Sequence, residues 1–176
     1  SGLATTAGSK ARIDHVAQNS SVITKRLRAA GTILIGKCNL HEFALGTTGE
    51  DSAFGITINP FAENHSAGGS SGGSAASVAT GMALASVGTD TGGSIRIPAA
   101  ACGVVGLKPT FGELSCQGVL PLSPSLDHIG PIGLTVDDVA LVYAAMLSEQ
   151  INANTYTKAV QPPKIEEPIR IGLPSD

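Results

Sequence analysis

Apolar positions recur along this chain with two spacings. In 20–30 (SSVITKRLRAA), Val22, Ile23, Leu27 and Ala30 share one face at helical spacing. Ser20 or Ser21 offers a cap and Gly31 a stop, so a helix is predicted there. The run 32–36 (TILIG) is short and wholly apolar, which predicts a buried parallel strand. Helix followed by strand across one glycine is an α/β signature. Further on, 74–82 is a helix of small residues, 83–88 a buried strand, 95–101 a short helix and 103–107 a strand. The segment 111–131 is rich in proline and reads as loop. The clearest helix is 135–147: Thr135 caps it, Asp138 takes the box position, and Val136, Val139, Ala140, Tyr143, Met146 and Leu147 form a core-facing stripe. A polar linker and a new strand at 169–173 (IRIGL) close the chain.

Composition narrows the picture. The 176 residues suffice for one core. Charged residues are only 14%, against about a quarter in ordinary domains. Aromatics are 3%, so Ala, Val, Ile and Leu must build the interior. So little surface charge implies that more protein covers part of this surface. Net charge is −3 and no basic run occurs, which argues against direct nucleic-acid binding. No stretch reaches the roughly 20 apolar residues of a membrane span. Cys38, Cys102 and Cys116 are odd in number and lack metal spacing, so free thiols in a reducing, cytoplasmic setting are expected.

The chemistry concentrates in 67–108. Two glycine-serine loops, 68–74 (GGSSGGS) and 89–94 (TDTGGS), flank a small and apolar run. So many glycines cost backbone entropy on folding, and close approach to a ligand is the usual return. Consecutive backbone N–H groups can converge on an anion, and a neighbouring serine hydroxyl can attack a carbonyl while they hold the oxyanion. A flexible linker fits poorly with the apolar run between the loops. A phosphate loop fits poorly too, because no Gly-Lys-Ser/Thr and no GxGxxG is present. A Ser-His mechanism is the runner-up: His15, His41, His65 and His128 are available, yet none shows a distinctive pairing. His41-Glu42 invites a metal, but no HExxH completes it.

The motifs GGSSGGSAA (68–76), GTDTGGSIR (88–96) and CGVVGLKPT (102–110) closely resemble the amidase signature family of serine amidohydrolases, which includes the glutaminase-type component of tRNA-dependent amidotransferases. The likeness extends to TTAGSK, GKCNLHEFALG and LDHIGPI, and covers 1–148. It implies an α/β amidase signature fold, with a mixed, mostly parallel sheet flanked by helices. The expected organisation is a partial core in 1–148, a linker in 149–168 and the start of the next strand of the same domain in 169–176.

The resemblance also implies a Ser-Ser-Lys triad. Ser94 matches the nucleophile. Ser70 matches the proton-relaying serine, which follows a cis peptide bond. The oxyanion hole would be the N–H groups of Thr91, Gly92, Gly93 and Ser94. Ser71, Asp90 and Arg96 would support the loops, with an ion pair or hydrogen-bond frame between Asp90 and Arg96. Leu45, Gly46 and Thr47 either line the acyl-side pocket or simply pack. Asp127 and His128 lie in a turn that the family uses structurally. The third triad member is a lysine upstream of TTAGS, expected to be absent from this chain. Lys10 and Lys37 both match non-catalytic family positions. The function so implied is cleavage of carboxamides through an acyl-serine, by a stand-alone amidase on small linear amides or by a glutaminase component feeding an amidotransferase. An inactive piece with a binding or assembly role is the non-enzymatic alternative. No cofactor and no metal is implied. The partners would be a small-molecule amide and either a partner subunit, the rest of the domain or further copies, with no membrane.

Overall fold

A computed structural model describes residues 2–147. The expected linker in 149–168 and strand in 169–173 lie outside the described residues. The element order is α1 (Val22–Ala29), β1 (Ile58–Asn59), β2 (Ala62–Ser66), α2 (Gly72–Ala79), β3 (Ala85–Asp90), α3 (Arg96–Ala101), β4 (Val105–Gly106), β5 (His128–Gly133) and α4 (Val136–Leu147).

Helices α1 and α4 start where their caps dictate. Ser21 Oγ accepts the Thr24 N–H at 3.2 Å and opens α1. Thr135 Oγ1 accepts the Asp138 N–H at 3.1 Å, while Asp138 Oδ2 accepts the Thr135 N–H at 3.0 Å. That reciprocal pair is a capping box with Asp in place of Glu. Ile23 and Leu27, four apart on α1, are buried with Ala145 and Met146 of α4, and with Leu114 and Ile129. Burying each such aliphatic chain contributes roughly 1.5–3 kcal/mol. Arg26 Nη1 donates to Met146 O at 2.8 Å and ties the two helices together.

A three-stranded sheet has the order β3-β5-β4. β5 pairs antiparallel with β3 from Asp90↔His128 to Ala85↔Gly133, and antiparallel with β4. The α/β class therefore stands, but among the described residues both ladders are antiparallel where a mostly parallel sheet is expected. The central strand itself falls at the end of the segment read as loop. Its Pro131 has no N–H to give and demotes a strand reading. Here its carbonyl still accepts the Leu107 N–H at 3.1 Å. Gly130 is obligatory for that approach, because a Cβ there would overlap Leu107 O.

The expected buried strand at 32–36 is not formed. Thr32 to Gly36 has no regular structure, and Ile33 is 89% exposed. An apolar run becomes a strand only against a neighbour, and none of the described strands pairs with it. The segment beyond it is fixed where Cys38 Sγ meets Ser77 Oγ and Ser86 Oγ, each at 3.7 Å. A small antiparallel hairpin, β1 with β2, replaces the turn predicted around Pro60. Helices α2 and α3 cover the sheet through two small clusters: Ala67 with Ala75 and Cys102, and Val78 with Ile95 and Ile132.

Candidate active site

The two glycine-serine loops meet. The first runs through Gly69, Ser70 and Ser71 into α2. The second leaves β3 at Asp90 and reaches α3 past Ser94. Ser71 joins them: its N–H donates to Ser94 O at 3.2 Å. Its Oγ donates to Thr89 O at 3.2 Å and accepts the Thr89 N–H at 3.1 Å.

The Gly69-Ser70 peptide bond is cis. Ser70 is almost wholly buried, and its Oγ has no hydrogen-bond partner among the described residues. A buried hydroxyl without a partner is uncommon and calls for a functional or ligand explanation. The Ser70 carbonyl accepts the His41 N–H at 3.1 Å. Gly69 allows the approach of another loop, since a Cβ would stand 2.7 Å from Gly49 N and 2.9 Å from Gly46 O.

Asp90 organises the second loop. It is fully buried. Oδ1 accepts the Gly93 N–H at 2.8 Å, and Oδ2 accepts the Ile95 N–H at 3.1 Å. Arg96 completes a fork, with Nε on Oδ2 at 3.1 Å and Nη2 on Oδ1 at 3.0 Å. Burial alone would raise the Asp90 pKa. The Arg96 hydrogen bond, the two N–H donors and the guanidinium charge outweigh it and hold the carboxyl below its ordinary value. The carboxylate in turn raises the Arg96 pKa.

This frame corrects one expectation. The Gly93 N–H is committed to Asp90, so it is not free for an oxyanion. Among the described residues, no acceptor takes the N–H of Gly92 or Ser94. Gly93 is still required at its place: φ is +133°, and a Cβ would crowd Ile97 Cδ1 at 2.7 Å.

A cavity of about 220 Å³ lies beside this loop, lined by Ala44, Thr89, Thr91, Leu122, Asp127 and His128 among others. Asp127 is a hub: it accepts from Thr91 Oγ1 at 2.6 Å and from the N–H groups of Leu122 and Ser123 at 2.9 and 3.0 Å. Of the segment expected to line a pocket, Leu45, Gly46 and Thr47 do not line this cavity, whereas Ala44 next to them does. Gly46 lies under the His41 ring, and His41 Nδ1 accepts the Gly49 N–H at 3.2 Å. Phe43 and Ala44 both adopt left-handed backbone, at φ 52° and 61°. No glycine signals that turn in the sequence.

No histidine hydrogen-bonds Ser70 or Ser94 through its ring among the described residues, so the Ser-His reading finds no geometry. Lys37 Nζ donates to Ala4 O at 3.1 Å and to Thr5 Oγ1, and burial lowers its pKa. Lys10 is exposed. Neither lysine hydrogen-bonds either serine. Cys38, Cys102 and Cys116 are free thiols, and burial raises the pKa of Cys102 and of Cys116. Among the described residues no His, Cys, Asp and Glu cluster is arranged to hold a metal ion, and no helix is long and apolar enough to cross a membrane.

The sequence pattern of the Amidase family matches residues 1–176, the whole chain. This chain belongs to the amidase family. Relatives share close to half their residues with it. The GatA-type component of the glutamyl-tRNA(Gln) amidotransferase of Thermosynechococcus vestitus is 47% identical over 98% of this chain and 37% of its own length. That of Symbiobacterium thermophilum is 45% identical over all of this chain and 37% of its own length. Among solved structures, the corresponding component from Thermotoga maritima superposes with a TM-score of 0.81 at 46% identity, over 82% of this chain and 32% of that one. Native peptide amidase of Stenotrophomonas maltophilia gives 0.79 at 40% identity, over 92% and 34%. The chain thus spans little more than a third of the length of the curated relatives it matches. As an amidase-family fold, it carries both serine loops inside the matched region.

Proposed function

We propose that the protein cleaves a carboxamide through an acyl-serine on Ser94. The observation that carries this reading is the buried, unpartnered Ser70 Oγ on a loop that Ser71 ties directly to Ser94. A serine hydroxyl needs a base to become a nucleophile. Ser94 Oγ would attack the carbonyl carbon while the N–H groups of Gly92 and Ser94 face the developing oxyanion. The Ser94 proton would pass through Ser70 Oγ to the leaving nitrogen. The C–N bond then breaks and ammonia or an amine departs. Water or another acceptor resolves the ester. In the resemblance the base at the far end of this relay is a lysine upstream of TTAGS, and no lysine among the described residues takes its place. Each oxyanion donor is worth about 10²–10³ in rate.

A second reading is favoured by the curated relatives named above, which are components of glutamyl-tRNA(Gln) amidotransferases. In it the amide is glutamine, and the released ammonia goes to a partner protein. The likeness to peptide amidase keeps the stand-alone reading in play. Labelling by a fluorophosphonate serine probe tests the common core. In the full-length protein, labelling should vanish in Ser94→Ala; labelling that persists there overturns the assignment. Glutamine hydrolysis that needs a co-purifying partner selects the second reading. Hydrolysis of simple amides without one selects the first.

A further inference from the structure

We infer that His128 is a positioning residue for the nucleophile loop, and that it does this as an imidazole protonated on Nδ1 alone. Both ring nitrogens point to the same state. Nδ1 lies 2.6 Å from Leu126 O and 3.2 Å from Asp90 O. Carbonyl oxygens only accept, so Nδ1 carries the proton. Nε2 lies 3.2 Å from Lys108 Nζ. An ammonium only donates, so Nε2 is bare. Lys108 is itself held by Pro109 O at 2.8 Å, and the Phe111 ring packs edge-on against the imidazole at 5.5 Å.

The consequence lies in what the ring grips. Asp90 frames the loop with its side chain, and His128 holds the carbonyl of that same residue. Asp127, one residue earlier, takes the Thr91 hydroxyl. Two consecutive residues of one turn therefore hold two consecutive residues at the root of the loop that ends in Ser94. A second proton on Nε2 would face the Lys108 ammonium. That ring state would push Lys108 away and loosen the brace. His128 touches neither serine, so its effect on the reaction passes through Asp90 and the loop.

The activity arm rests on the proposed role of Ser94; the tautomer does not. In ¹⁵N-histidine-labelled full-length protein, the ring signal lost in His128→Asn should show the Nδ1–H pattern. An Nε2–H or doubly protonated pattern overturns the inference. The probe-labelling rate of Ser94 should fall about tenfold or more in His128→Ala, as loop misplacement does. His128→Asn should restore most of it, because its amide N–H₂ reaches the Nδ1 position. His128→Gln, whose amide reaches the Nε2 position, should not. Equal rescue by Gln, or no loss in Ala, overturns the inference. Labelling that survives Ser94→Ala would remove the proposed function instead, and the tautomer result would stand.

Discussion

The N–H of Ser71 donates to the carbonyl oxygen of Ser94 at 3.2 Å, so the residue next to one candidate catalytic serine grips the other. The same Ser71 closes a two-way hydrogen bond with Thr89 through its hydroxyl. Ser71→Ala keeps the first contact and loses the second. A loss of about 1–3 kcal/mol in denaturant unfolding follows from the orphaned Thr89 N–H. The labelling rate of Ser94 should fall further than stability alone explains. Equal labelling in the variant would show that the loops are held without that hydroxyl.

Asp90 makes stability depend on acid pH. Its folded pKa lies below the ordinary 3.8, so near that pH the unfolded chain binds more protons than the folded one. Its contribution is complete above about 4 and is lost as pH falls through the lower folded value. Asp90→Asn should cost roughly 1.5–3 kcal/mol at neutral pH, the worth of hydrogen bonds to a charged group. The gap from wild type should narrow below pH 4. Urea midpoints measured from pH 7 down to 2.5 read this directly, and a constant gap would contradict it.

Gly130→Ala places a methyl group onto the Leu107 carbonyl. Overpacking of this kind costs about 1–3 kcal/mol. The neighbouring ladder of β5 with β4 should loosen first, which amide exchange at Leu107 would report. Unchanged protection there would show that the strands part without cost.

Leu27→Ala empties the site between α1 and α4. Large-to-small changes at buried leucines cost about 2–5 kcal/mol. The nucleophile loop lies in other clusters, so probe labelling of the folded fraction should stay unchanged. A matching loss of labelling would mean that this core and the loop melt as one unit.

Local signals in the chain were enough for the helices. Ser21, Thr135 and Asp138 are short-range caps, and the structure uses each of them. The glycine-serine loops were legible for a similar reason, because glycine and serine density marks close backbone approach. What escaped depends on distant partners. β5 carries Gly130, Pro131 and Gly133, a composition that argues against a strand until β3 and β4 supply its neighbours. The run 32–36 is the converse case: strand-like in composition and without a strand partner among the described residues. The commitment of the Gly93 N–H to Asp90 is a three-residue contact that glycine content alone does not reveal. Ala44 at the cavity wall, in left-handed backbone, carries no sequence mark at all.

The pairing of Asp90 with His128 also sets an order of events during synthesis. The two residues stand 38 apart, and β5 ends only at Gly133. Long-range antiparallel pairing must close that loop before its contacts reward it, which makes it a slow step. While a nascent chain is shorter than this, Asp90 has its own Arg96 but no strand beside it. The loop holding Ser94 therefore gains its full frame only after some forty further residues have emerged, so a reactive serine would be a late marker of folding rather than an early one.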